Sequence, residues 1–115
     1  NYIEQTINSV LSQTYYNWEL IIINDCSTDH TRKIIEKFVA TDARIKLFDT
    51  IENTKKPSKV KNIALKYASG EYLAFLDSDD LWENTKLDTQ LELMLEGGYH
   101  ISHTGGFFID ENNQE

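Results

Sequence analysis

The chain has 115 residues, enough for one hydrophobic core and no second full domain, since single domains run to about 100–150 residues. Its 40% hydrophobic and 11% aromatic content is too apolar for an intrinsically disordered tail. Eleven Lys and Arg against nineteen Asp and Glu give a net charge of −8; such a field repels nucleic acid and anionic membrane, and repels a nucleotide too unless a divalent cation or backbone amides offset it.

A single cysteine, Cys26, excludes an internal disulfide and fits a reducing compartment. No apolar stretch approaches the ~18 residues of a membrane span, and no basic n-region with a cleavable apolar segment opens the chain.

The opening residues place Ile3, Ile7, Val10 and Leu11 on one side of a helix and Glu4, Asn8 and Ser12 on the other. This stripe begins without a capping residue or preceding strand, as expected of a chain cut just ahead of a helix. Residues 18–23 read WELIII, a β-branched run suited to a strand buried on both faces. After Asn24 and Asp25, the run DCSTDHT is rich in capping residues and leads into a helix marked by Ile34, Ile35, Phe38 and Val39.

Residues 45–48 predict a short strand, and a polar loop through Asn53 and Pro57 follows. Ser58 then caps a helix carrying Val60, Ile63, Ala64 and Tyr67, which Gly70 ends. Residues 71–76 predict another strand, DSDD follows, and Leu87, Leu91, Met94 and Leu95 define a last helix closing at Gly97 and Gly98. Residues 99–104 and 107–109 read as one or two short strands around Gly105 and Gly106. Alternation of this kind predicts an α/β fold, an open, mostly parallel, doubly wound sheet with helices on both faces. With no internal repeat or linker, residues 1–115 read as a single partial domain.

In such a sheet ligands collect at the carboxyl ends of the strands. Asp25 and Asp29 follow one predicted strand, and Asp77, Asp79 and Asp80 follow another. If the two strands are neighbours, the clusters share a crevice. Three carboxylates within four residues repel one another, and a divalent cation is the simplest way to keep them ionised. Oxygen ligands favour Mg²⁺ or Mn²⁺, of which one or two carboxylates suffice when a substrate's phosphates supply the rest.

The plainer reading of DSDD is a helix start, where Asp caps amides. An EF-hand is excluded, because position six from Asp77 is Trp82 and position twelve is Asp88. Asp25 has its own plainer role in closing a turn; as a ligand its carboxylate can accept a hydrogen bond from a uracil imide or another base's amino group. Neither GxGxxG nor GxxxxGK[ST] is present to hold phosphates. Lys61 and Asn62, near a helix start, can place a cation and an amide beside a diphosphate, although a solvated surface lysine is the commoner case. His100 and His103 fall on opposite faces of a strand, and Cys26 reads as a small loop or core residue. Trp82 stands close enough to DSDD to line a pocket.

Together, SVLSQTYYNWELIIINDCSTDHT and KNIALKYASGEYLAFLDSDDLWENTKLDTQ resemble the nucleotide-sugar half of the family 2 inverting glycosyltransferases of GT-A fold, over residues 2 to about 110. The order and spacing of the two acidic motifs are more specific than either alone. The resemblance implies transfer of a sugar from a nucleoside diphosphate donor, often a uridine one, to a saccharide or other hydroxyl acceptor with inversion, as in polysaccharide biosynthesis. It matches Asp25 to the acid contacting the base and Asp77-Ser78-Asp79 to the DXD motif. Asp79 then ligates the Mg²⁺ or Mn²⁺ on the donor diphosphate, Asp77 lies near the ribose or the metal, and Lys61, where the family frequently has arginine, lies on the nucleotide side.

Two departures from the family pattern stand out: the strand before the first helix is absent, and the acceptor half with its catalytic base normally follows where this chain ends. The resemblance therefore implies a donor-binding fragment, inactive alone, of a larger cytoplasmic transferase that meets the membrane only through other regions. The rival reading is an Mg²⁺-binding phosphoacceptor receiver domain, which gathers acids at the same sheet edge. It needs a lysine late in the chain, and none follows Lys86.

Overall fold

The computed structural model describes residues 2–27 and 30–109. In chain order the elements are α1 (Tyr2–Leu11), β1 (Leu20–Asn24), α2 (Thr31–Thr41), β2 (Ile45–Asp49), α3 (Pro57–Leu65) and α4 (Lys86–Gly97). β1 and β2 pair in parallel, with Leu20 opposite Ile45 and Asn24 opposite Asp49. This is the α/β arrangement that alternating periods predict, because parallel neighbours need a crossover and α2 supplies it.

Strand alternation sorts the side chains. Leu20, Ile22, Ile45 and Leu47 share one face and join Ile3, Ile7 and Ile35 in a single apolar cluster beneath α1 and α2. Phe48 points to the other face, where its ring stacks on Tyr67 at 3.8 Å between centroids, just past the end of α3. Helices therefore flank both sides of the pair. The stripe read for α1 is the buried one, with Ile3, Ile7 and Val10 inside, and α2 buries Ile35.

Several predicted boundaries move. α3 starts at Pro57, whose missing N–H costs nothing at a helix start, so Lys56 takes the N-cap position and Ser58 lies inside the helix. The same helix stops at Leu65, before Tyr67 and Gly70. At α4 the expected glycine stop is present: Gly98 adopts φ 63°, and the Tyr99 N–H returns to the Met94 carbonyl at 2.9 Å.

The strands expected at 71–76, 99–104 and 107–109 are not formed. An apolar run expresses a demand for burial, but a strand also needs a neighbour whose amides and carbonyls meet its own. Among the described residues β1 has a ladder on one edge only. Tyr72, Leu73 and Phe75 stay largely exposed, as do Ile101 and Phe108.

Candidate functional site

The carboxyl end of β1 is a polar junction. Asn24 is buried; its Nδ2 donates to Asp49 Oδ1 at 2.8 Å, and its Oδ1 accepts the Ser27 N–H at 3.3 Å. Asp49 also pairs with Arg32 in the first turn of α2. The Asn24 amide first, then the Arg32 guanidinium, hold the Asp49 carboxyl below the usual carboxylate range.

One residue on, the Asp25 carboxylate gathers the loop that follows β2. Its Oδ1 accepts from Thr50 Oγ1 at 2.7 Å and the Thr54 N–H at 2.9 Å, and its Oδ2 accepts from Thr54 Oγ1 at 2.8 Å. Asn53 Nδ2 donates to the Asp25 carbonyl at 3.2 Å. The Thr54 N–H pulls the Asp25 pKa down; desolvation opposes it, and the Thr50 and Thr54 hydroxyls add to the lowering. Asp25 thus fixes the loop that launches α3. Cys26 beside it is exposed, in the left-handed region at φ 57°.

The second acidic cluster is a turn. The Asp80 N–H donates to the Asp77 carbonyl at 3.2 Å, leaving Ser78 and Asp79 at its centre. α4 begins six residues later, at Lys86, so DSDD is not a helix start. Asp77 Oδ1 lies 2.9 Å from Lys61 Nζ, in the second turn of α3 and 6.0 Å from the Phe75 ring centroid. The Asp79 and Asp80 side chains are exposed and make no hydrogen bond or ion pair among the described residues.

The turn's backbone is held from α1. Thr6 Oγ1 stands 2.9 Å from each of the Ser78 and Asp80 carbonyl oxygens. Ser9 Oγ accepts the Trp82 N–H at 3.2 Å. Gln13, buried to 1% exposure, donates from Nε2 to the Glu83 carbonyl at 2.7 Å and accepts the Leu87 N–H at 3.0 Å. Its oxygen therefore satisfies an orphan amide in the first turn of α4, which Thr85 at the N-cap leaves without a side-chain partner. The Thr14 N–H donates to the Asn84 carbonyl at 2.8 Å.

Of the predicted site residues, Lys61 and Asp77 meet directly, and Asp25 joins them through α3. Thr54, bound to Asp25, lies three residues before Pro57, and Lys61 lies about 6 Å along the helix axis from that start. Asp79 is in the same turn as Asp77. The strand expected to deliver this cluster is absent, so the acids arrive on an irregular segment anchored at both ends. Glu19 Oε1 accepts from the Ser69 N–H at 2.6 Å and the Gly70 N–H at 3.2 Å, and Thr6 holds the far end. Asp29 lies outside the described residues. Sequence reading missed Thr6, Ser9 and Gln13; the available signal was the polar Thr6 and Ser9 interleaved with Ile3, Ile7 and Val10 on α1, with Gln13 just past its end.

Among the described residues no three His, Cys, Asp or Glu side chains converge on a cation site. Asp77 and Asp79 are exposed oxygen donors two residues apart in one turn. That donor set suits a hard cation sharing its shell with water and phosphate, and not a closed protein cage.

The whole chain, residues 1–115, matches the family model described as Glycosyl transferase family 2. It is 47% identical over 105 residues to TuaG of Bacillus subtilis (strain 168), a glycosyltransferase named for teichuronic acid biosynthesis, covering 91% of this chain and 41% of that protein. It is 46% identical over 111 residues to WfgD of Escherichia coli, a UDP-Glc:alpha-D-GlcNAc-diphosphoundecaprenol beta-1,3-glucosyltransferase, covering 96% of this chain and 42% of that protein. The chain thus spans about two fifths of the length of these relatives. Crystal structures of S. aureus TarS 1-349 in complex with UDP and with UDP-GlcNAc superpose with TM-scores of 0.77 at 34% identity, over 83% of this chain and 28% of TarS 1-349.

Proposed function

The chain belongs to Glycosyl transferase family 2, and from that premise we propose that it is the donor-binding part of a transferase that takes a sugar from a uridine diphosphate sugar to a hydroxyl acceptor with inversion. The observation that carries this reading is the match to TarS, a protein solved with UDP and with UDP-GlcNAc and superposing over most of this chain. The site adds chemistry of its own, because acids at the carboxyl end of β1 and on the Asp77–Asp80 turn are linked through α3. The receiver-domain alternative finds no support in the family match.

In this reading Asp25 orients the base: its carboxylate stays ionised because Thr54 and Thr50 donate to it, and it receives the base's N–H at the lone-pair capacity they leave. Lys61 leaves Asp77, or shares it, to face the nucleotide's phosphates or ribose. Asp79, with Asp77, holds Mg²⁺ or Mn²⁺. When bound, that cation supplies Lewis-acid stabilisation of the charge developing on the leaving diphosphate. It also removes the electrostatic objection to an anionic donor raised by the net charge of −8.

The base that takes the acceptor's proton belongs to the part of the whole protein outside these residues, as do the acceptor site and any membrane contact. Among the described residues no helix is long and apolar enough to cross a membrane. A role in polysaccharide assembly accords with the name of TuaG, a teichuronic acid biosynthesis glycosyltransferase; a place at the cytoplasmic face of the membrane is part of the proposal.

Thermal melting tests the proposal. UDP is expected to raise the melting temperature of the intact protein only with Mn²⁺ or Mg²⁺ present, following mass action. A shift that is absent with both cations for every nucleoside diphosphate overturns it.

A further inference from the structure

We propose that Thr6, on α1, is the positioning residue for Asp79, setting the direction in which the turn presents its carboxylate; this rests on the donor-site reading above. Thr6 is 4% exposed. Its Oγ1 stands 2.9 Å from the Ser78 carbonyl, 2.9 Å from the Asp80 carbonyl and 3.1 Å from the Tyr2 carbonyl of its own helix. One hydroxyl proton is therefore shared among acceptors, two of which belong to the residues on either side of Asp79.

The contact matters because Asp79 has no tether of its own. Its side chain makes no bond among the described residues, so its direction is set by the peptides on both sides. The bond from the Asp80 N–H to the Asp77 carbonyl closes the turn without fixing its tilt against the rest of the molecule. Thr6 supplies that tilt from a helix seated independently by Ile3, Ile7 and Val10. One helical turn along, Ser9 takes the Trp82 N–H and steadies the chain leaving the turn. Mg²⁺ and Mn²⁺ sites that borrow phosphate oxygens are sensitive to ligand direction, and groups behind a ligand typically tune affinity.

The test is calorimetric titration of UDP into the intact protein across a series of Mn²⁺ concentrations. For Thr6→Val, which keeps the shape and removes the donor, the Mn²⁺ midpoint is expected to rise about five- to tenfold. UDP affinity at saturating Mn²⁺ is expected to return to within about twofold of the parent's, and Thr6→Ser to keep the parent's midpoint. Should the valine protein not fold, Thr6→Cys, a weak donor of similar size, carries the same expectation as valine.

An unchanged midpoint overturns the inference, as does an equal loss of UDP binding at every Mn²⁺ concentration, which marks a purely structural role. A serine variant shifted as far as the valine one also overturns it, by assigning the effect to the methyl group. A parent protein with no Mn²⁺-dependent UDP binding overturns the donor-site reading itself and this inference with it.

Discussion

The carboxyl end of β1 and the Asp77–Asp80 turn both carry aspartates, but they are built in opposite ways. At Asp25 the side chain is the organiser: its oxygens take two hydroxyls and an amide, and the loop arranges itself around the carboxylate. In the turn the backbone is held, by Thr6 and by the turn's own bond, while Asp79 and Asp80 leave their carboxylates to solvent. A carboxylate surrounded by donors has little capacity left and a fixed orientation, which suits recognition of one N–H. A carboxylate with no protein partner keeps its lone pairs for a cation. Lys61 stands between the two designs, paired to Asp77 and carried on the helix that the Asp25 loop launches.

The largest expected effect separates binding from stability. Asp79→Ala should weaken Mn²⁺-dependent UDP binding by about a hundredfold or more, because the proposed metal ligand is lost. The melting temperature should move by only about 1 °C, as at other exposed positions without partners. Calorimetry and a melting curve on the same sample decide it; a large drop in stability would mean that Asp79 is structural after all.

Gln13→Ala should do the reverse. Truncation leaves the Glu83 carbonyl and the Leu87 amide without their partner at a buried site, a loss of about 2–3 kcal/mol. The urea midpoint should fall accordingly, with the slope unchanged. Asp25→Ala should combine both effects at smaller amplitude. The Thr50–Thr54 loop loses its centre, the melting temperature falls by roughly a few degrees, and UDP affinity drops at every Mn²⁺ concentration, because the proposed base contact does not pass through the proposed metal.

The sequence made the acids of this comparison legible, but not what holds them. Hydrophobic period located α1, β1, α2, β2 and α4 to within a few residues, since burial of Ile7, Ile35 and Ile45 is what those elements are for. The same signal failed at 71–76, where an apolar run has no neighbouring ladder to join. Asp25 was legible because a polar residue ending an apolar run falls at the sheet's edge, whereas Asp77 and Asp79 stood out by their spacing and arrive on an irregular segment instead of a strand. Thr6, Ser9 and Gln13 were not. Their partners are main-chain groups about seventy residues away, and a carbonyl has no letter in the sequence.

The smallest effect tests the anchor ahead of the turn. Glu19 binds Lys46 Nζ at 2.8 Å and the Ser69 and Gly70 amides, and its pKa is pulled from 4.5 down to about 2, chiefly by Lys46 and then by Ser69. A folded-state pKa below the unfolded one gives stability that is fully present above pH 4.5 and is lost as pH falls toward 2. Because the Lys46 side chain is 45% exposed, screening limits the contribution to on the order of 1 kcal/mol. The difference in melting temperature between the parent and Glu19→Gln should therefore be constant above pH 4.5 and shrink steadily below it. Asp25 shifts in the same direction, so its hold on the Thr54 loop also survives below pH 3.8. A Glu19→Gln difference that stays flat from neutral pH down to pH 2 would show that the anchor is held by its amides without help from the charge, because an unshifted carboxyl gives no pH-dependent stability.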